Sequence, residues 1–290
     1  MKHNILNVIS NYLSHWWNFW NSKIDAKNLQ KTRITFSVSV FFLYSVRFWN
    51  LDFYNSESLI DRARALELFD AYQKPLFSWN FWPDSLALVM QITFLVLMVL
   101  MALGWVIRPM IAIAWVIHLG FMHRNWAAGM GMDTIVSVFL FYFSFCEFRK
   151  SKQKDMLTNV MIRMAQVHLS IIYFYTGLEK LRGPQWWEGT AIWTALSNPQ
   201  MTSFDLLFLK DWPLIVGLLT HATVLFELMF LPMVWNPRTR NFILVLGVSF
   251  HFGTALLMDL WAFAAVMTSL YFLFGSQTSP LTSQSVKAFL

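Results

Sequence analysis

The chain has 290 residues, 57% hydrophobic and only 13% charged, with a mean hydropathy of +0.47. Soluble domains carry about a quarter charged residues, so this balance, together with several apolar runs of spanning length, excludes an ordinary water-soluble protein and points to a polytopic membrane protein. The net charge of +6 does not describe a nucleic-acid binder once the basic residues are divided among the loops, and a single cysteine, Cys146, excludes a disulfide framework and any multi-cysteine metal site.

In the first 32 residues Ile5, Ile9, Tyr12, Leu13, Trp16 and Trp20 recur at helical spacing with asparagines between them. There is no continuous apolar core, so no cleavable signal is expected, and 1–32 reads as an amphipathic interfacial segment. Lys23, Lys27, Lys31 and Arg33 follow. Apolar segments then occupy 34–51, 85–106, 109–122, 134–146, 160–180, 213–234, 241–258 and 261–274. Between the first two lies a polar stretch in which Ser58 to Asp61 has capping-box character and opens a short helix toward Tyr72. A polar turn runs from His123 to Asp133, a basic loop from Arg149 to Lys154, and an aromatic-rich segment covers 181–212. Cys146 sits in an apolar run and reads as a buried structural thiol.

The expected fold is all-α: a polytopic membrane helical bundle of about eight transmembrane helices plus the amphipathic N-terminal helix. One integrated domain is expected over 33–275, with a cytoplasmic tail at 276–290, and no internal repeat is evident. Alternating the spans from a cytoplasmic N-terminus gathers the N-terminal lysines, Arg108, the 149–154 loop, Arg238 and Arg240 on the cytoplasmic side, as the positive-inside rule requires. Both termini are then cytoplasmic, and Lys180 with the segment after it faces outward.

The fifth segment carries the main constellation. Arg163, Gln166, Ser170, Tyr173, Gly177 and Lys180 recur at steps of three and four and share one helix face. Such a stripe is costly against lipid, so it belongs to a bundle interior or a wet cavity. The helix breaks at Gly183-Pro184 and continues into Trp186-Trp187-Glu188-Gly189. A lysine at the mouth of a protein-lined cavity can act as a general base; at the outer end of a span it can also simply snorkel. Glu227, among Phe226, Leu228 and Phe230, needs a partner or a proton; an ion pair with Arg163 and a proton-handling role are the two readings. His221 and His251 are candidates for hydrogen bonds in the bundle or to a polar ligand head. No two histidines have helical metal-ligand spacing, and no metal is expected. Asp133 opens its helix in a favourable charge–dipole position and is also a candidate cavity residue. The Gly129-Met130-Gly131 run lacks phosphate-loop spacing.

A Gln-containing apolar helix, then Tyr173-Phe174, Gly177-x-x-Lys180-Leu181 and Trp186-x-Glu188-Gly189, with a Glu-containing sixth segment and His251 in the seventh, resembles the transmembrane region shared by vitamin K-dependent γ-glutamyl carboxylase and the bacterial HTTM (horizontally transferred transmembrane) proteins. The resemblance implies Lys180 as the base that deprotonates a reduced quinone of the vitamin K hydroquinone type, with His251 beside it as a second catalytic group. Gln166, Ser170, Tyr173, Trp186, Trp187, Glu188, His221, Glu227 and Asp133 would line an outward-facing cavity for a quinone-type or lipid-like molecule. The implied chemistry, if the protein is an enzyme, is carboxylase-like, a quinone-linked lyase or oxidoreductase reaction. Where the carboxylase has a second lysine, this chain has Glu179, and a large extramembrane region for peptide substrate is expected from a partner. The other expectation is a non-catalytic membrane component that binds lipid or a partner during maturation of an exported peptide. The expected location is the bacterial inner membrane, in contact with its lipids.

Overall fold

The structure is a computed structural model describing residues 2–22, 24–49, 51–54, 66–67, 69–72, 74–78, 81–124, 131–148, 155–199, 201–202 and 204–275. The expected short helix from Ser58, Asn125 to Met130, the basic loop from Arg149 to Lys154 and the 276–290 tail lie outside the described residues. Among those described, all regular structure is helical, and helices occupy every apolar segment anticipated above. Three of them are long and apolar enough to cross a membrane: Asp84–Leu103, Pro213–Trp235 and Arg240–Met258. This is a membrane-associated helical protein.

The backbone separates into two compact units, Leu29–Met161 and Met1–Asn28 with Ile162–Leu290. In the Leu29–Met161 unit, α2 (Ala26–Phe48) is followed by α3 (Ala87–Leu103), α4 (Arg108–Arg124) and α5 (Gly131–Ser144). The second unit begins with α1 (Lys2–Asn21) and continues along α6 (Met156–Lys180), which enters it at Ile162. Two short helices, α7 (Pro184–Trp187) and α8 (Ala191–Leu196), lead to α9 (Pro213–Trp235), α10 (Arg240–Met258) and α11 (Trp261–Leu270), extended by a 3₁₀ turn over Tyr271–Phe274.

Local chemistry explains the boundaries. Helix α3 stops at Gly104, whose φ of 82° supplies a left-handed cap. The Arg33 guanidinium donates to the carbonyls of Met101 and Ala102, two of the acceptors that a helix end leaves without intrahelical partners. Pro109 sits in the first turn of α4 and Pro213 opens α9, where a missing N–H costs nothing. Helix α2 begins at Ala26, two turns before its apolar stretch, because Lys27 and Lys31 are good helix formers and an apolar boundary is not a helix boundary. Helix α10 ends on Asp259 in the left-handed region, φ 58°, which aspartate tolerates better than most residues.

The first unit's core includes Phe36, Val40, Tyr44, Phe94, Phe121, Phe139 and Phe143. Cys146 is buried and donates to the Tyr142 carbonyl at 3.3 Å. In the second unit, Phe19 near the end of α1 lies 5.5 Å from Trp235 and beneath the Arg163 guanidinium. Tyr12, Leu13, Trp16 and Trp17 of α1 remain exposed, an apolar face suited to a membrane interface.

Candidate functional site

Helix α6 carries the polar stripe, and its buried face is the one the spacing picks out. Arg163, Gln166, Ser170 and Tyr173 are fully or almost fully buried, while Lys180 at the helix end is partly exposed. The stripe is satisfied by neighbouring side chains and carbonyls. Arg163 donates to Gln166 Oε1 at 3.0 Å and to Ser22 Oγ at 2.5 Å. Gln166 donates to the Leu273 carbonyl at 2.5 Å, and Ser170 accepts from Trp235 Nε1 at 3.1 Å. These bonds remove most of the penalty of burying polar groups.

One turn further along the stripe, the Tyr173 hydroxyl lies 2.5 Å from His251 Nε2 and 2.6 Å from the Tyr271 hydroxyl. Phe226 and Phe230 of α9 pack on the Tyr173 ring. His251 Nδ1 is buried and has no hydrogen-bond partner among the described residues. Gly247, one turn before His251, makes room for this cluster: a Cβ there would stand 2.4 Å from the Tyr271 oxygen.

Lys180 Nζ is 2.9 Å from Glu227 Oε1 and 2.8 Å from Oε2. Glu227 therefore pairs with Lys180, whereas Arg163 was the partner its sequence position suggested. Gly177 allows the approach, since a Cβ on it would fall 3.2 Å from Glu227 Cβ and 2.9 Å from a Leu228 methyl. The lysine ammonium also stands 5.2 Å from the Trp186 ring centroid, a cation–π distance. Glu179 does not share this face and pairs with the exposed Arg182 at 2.8 Å.

The segment after α6 is held beside the pair by α9. Gly189, with φ 75°, faces Gly217 and His221, whose Cε1 would lie 3.2 Å from an added Cβ. The Thr220 hydroxyl contacts the Gly189 carbonyl at 3.1 Å. His221 is exposed, with Nδ1 2.8 Å from its own helix's Gly217 carbonyl and Nε2 3.4 Å from the Trp187 carbonyl. Trp187 and Glu188 are exposed, and Trp187 donates to the Leu181 carbonyl. The structure thus brings Lys180, Glu227 and Trp186 into contact and joins Tyr173 to His251, while His221 and Glu188 stay at the rim.

Asp133 belongs to the Leu29–Met161 unit, where it is buried in an ion pair with Arg47 at 2.7 Å. The Arg47 guanidinium also stands over the rings of Tyr44 and Tyr54, and burial pushes the Tyr54 phenol up. The Tyr44 hydroxyl contacts His118 Nδ1, and His118 Nε2 lies 2.9 Å from the Asp133 carbonyl. Sequence reasoning missed Arg47, Tyr44, His118 and Tyr271. Each is a single polar residue in an apolar helix, and spacing within one helix does not show a partner on another.

Apolar helices enclosing buried, paired polar groups define a membrane-associated helical protein with an interior polar site. One curated relative is the sporulation-delaying protein SdpB of Bacillus subtilis, 27% identical over 125 residues, or 40% of this chain. The chain spans 38% of that relative's length. No protein-family model and no solved structure matches the chain.

Proposed function

We propose that this is a multi-pass membrane protein that binds a quinone-type or lipid-like molecule beside Lys180, and that the Lys180–Glu227 pair accepts a proton from it. The observation that carries the reading is a buried carboxylate held by a partly exposed lysine under the Trp186 ring. With the pair ionised, a hydroxyl of the bound molecule loses its proton to the Glu227 carboxylate. The O–H bond breaks, a carboxyl O–H forms, and the new oxyanion is stabilised by the Lys180 ammonium. Net charge is unchanged, which suits a site with little water to solvate an extra ion. Where the ligand meets Lys180 first, the lysine passes one of its own protons to Glu227 as it takes the hydroxyl's, so it ends as an ammonium beside the oxyanion and Glu227 is the final acceptor. The Tyr173–His251–Tyr271 cluster is the polar wall beyond them.

A reduced quinone is the ligand class this chemistry fits, since it offers an aromatic face and an acidic hydroxyl. The carboxylase and HTTM resemblance supports the same class and a carboxylase-like, quinone-linked reaction. The topology that goes with it has eight spans, both termini cytoplasmic and the Lys180 end facing the extracytoplasmic side of the bacterial inner membrane, and the distribution of basic residues supports it.

A second reading is a non-catalytic component that binds lipid or a partner in the maturation of an exported peptide. The exposed Trp187, Phe204, Leu207, Phe208 and Trp212 in the segment after α6 favour it. Titrating purified protein with a reduced short-chain quinone, followed by tryptophan fluorescence and by quinone oxidation, separates the two. The first reading expects saturable binding that Lys180→Ala and Glu227→Gln each weaken at least tenfold. Unchanged binding and turnover in both variants would sink it, and loss of function on substituting only the exposed aromatics would favour the second.

A further inference from the structure

The two units follow one plan. In the Leu29–Met161 unit a long helix, α2, is followed after a connection by α3, α4 and the shorter α5, with α3 against α4 and α4 against α5. In the second unit the long helix α6 is followed after a connection by α9, α10 and the shorter α11, with α9 against α10 and α10 against α11. Residues correspond as well as helices. Trp82-Pro83, Thr93, Leu95, Trp105 and Arg108 match Trp212-Pro213, Thr223, Leu225, Trp235 and Arg238 at one constant offset. Three residues of insertion later, His118-Leu119-Gly120 matches His251-Phe252-Gly253.

Three hydrogen-bonding relationships repeat independently of that alignment. The histidine of each third helix bonds the tyrosine of the first: His118 to Tyr44, His251 to Tyr173. A glutamine of each first helix, at a different distance from the tyrosine in the two copies, donates to a carbonyl in or shortly after the last helical segment, Gln30 to Phe148 at 2.7 Å and Gln166 to Leu273 at 2.5 Å. A cation toward the end of each first helix is held by a buried carboxylate of its own unit, Arg47 by Asp133 and Lys180 by Glu227. Matching sequence positions, helix order and bonding together are hard to obtain by chance from apolar helices, whose composition alone fixes none of the three.

We infer that the chain is a tandem duplication of one four-helix unit, and that the copies have diverged into a closed structural copy and an open one. In the first copy both nitrogens of His118 are engaged, by Tyr44 and by the Asp133 carbonyl. Its cation is an arginine, which keeps its proton and holds Asp133 as a fixed pair. In the second copy His251 Nδ1 lacks a partner among the described residues, and the cation is a lysine, which can exchange a proton. The carboxylate has also changed helix, from the fourth to the second. That the open copy is the one that takes a ligand rests on the proposed function; the duplication does not.

Single cysteines on a Cys146→Ser background, labelled in intact membranes with an impermeant maleimide, test the duplication without reference to activity. Corresponding helix ends must react from the same face: Ser85→Cys with Lys210→Cys ahead of the second helix of each copy, and Trp105→Cys with Arg238→Cys, after that helix, from the other. Reaction of Ser85→Cys and Lys210→Cys from opposite faces overturns the duplication. Divergence has its own readout in thermal melting of the detergent-solubilised full chain. His118→Ala removes a bond from both Tyr44 and Asp133, whereas His251→Ala leaves Tyr173 bonded to Tyr271. His118→Ala should therefore lower Tm by several degrees more, and an equal or smaller drop overturns the closed-versus-open assignment.

Discussion

Lys180 Nζ lies within 2.8–2.9 Å of both oxygens of Glu227, joining the end of α6 to the middle of α9. The partners are unequally placed, with 23% of the lysine side chain exposed and 7% of the glutamate. Removing one member of a buried pair strands the other, at a cost of about 3–5 kcal/mol when both are fully buried. The asymmetry predicts unequal losses. Lys180→Met leaves a buried carboxylate and should cost about 2–3 kcal/mol after allowing for the exposure of the lysine. Glu227→Leu leaves an ammonium that can turn toward the surface and should cost less, and the double variant should recover part of the loss. Thermal melting of the three variants measures the order. A Glu227→Leu variant less stable than Lys180→Met would contradict it.

Tyr173 is the branch point of the interior cluster, with one hydroxyl shared between His251 and Tyr271. Tyr173→Phe keeps the ring packing on Phe226 and Phe230 and deletes only the oxygen. It should destabilise by about 1–2 kcal/mol, the scale of a buried hydrogen bond whose partners lose their mate. Tyr271→Phe should cost less, because Tyr173 and His251 remain bonded. Equal melting temperatures for Tyr173→Phe and wild type would show that the hydroxyl contributes nothing.

Much of the α6 face could be read directly from the chain. Gln166, Ser170, Tyr173 and Lys180 fall at helical spacing within one segment, and period alone assigns them a shared side. The need for a partner at Glu227 was equally plain, because a carboxylate between Phe226 and Leu228 cannot be left alone. Its identity was not. Arg163 looked close because depth was counted from helix ends, and counting says nothing about how α6 and α9 are offset along their axes. Gly177, which lets α9 approach, and Gly189, whose positive φ turns the chain back toward His221, fix that offset. Tyr44, His118 and Tyr271 left no trace of periodicity, since each is a single polar residue whose reason lies on another helix.

Arg47 and Asp133 form the corresponding pair of the Leu29–Met161 unit, and here both side chains are largely buried, 12% and 2% exposed. Asp133→Asn removes the charge while nearly preserving shape, and leaves the Arg47 guanidinium between two tyrosine rings without its counter-ion. The expected loss is about 3 kcal/mol or more, larger than for Glu227→Gln, where Lys180 can reach the surface. Arg47→Lys should preserve little of the pair, because a point ammonium cannot reproduce a two-nitrogen grip on the carboxylate; Arg47 contacts Asp133 through both Nη1 and Nη2. Chemical or thermal unfolding of Asp133→Asn, Arg47→Lys and Glu227→Gln ranks these directly. A Glu227→Gln variant less stable than Asp133→Asn would reverse the argument.

Gly120 and Gly253 follow matching histidines but meet different surroundings, so one substitution should have opposite consequences at the two sites. A Cβ at Gly120 would lie 1.9 Å from the Trp82 ring, which is buried ahead of α3, whereas nothing stands within 4 Å of a Cβ at Gly253. Gly120→Ala must push the indole out of its place, an overpacking cost of about 1–3 kcal/mol. It should also loosen the Arg124 bond to the Trp82 carbonyl, 2.7 Å in the native structure. Gly253→Ala has space to fill and gains helix propensity, about 0.5–1 kcal/mol in favour of alanine. Melting temperature should therefore fall for Gly120→Ala and hold or rise for Gly253→Ala. Replacing Trp82 by leucine in the Gly120→Ala background should restore part of the loss, because it removes the ring atoms that the new methyl group meets. A Gly120→Ala variant as stable as wild type would mean that the indole does not occupy the groove beside α4.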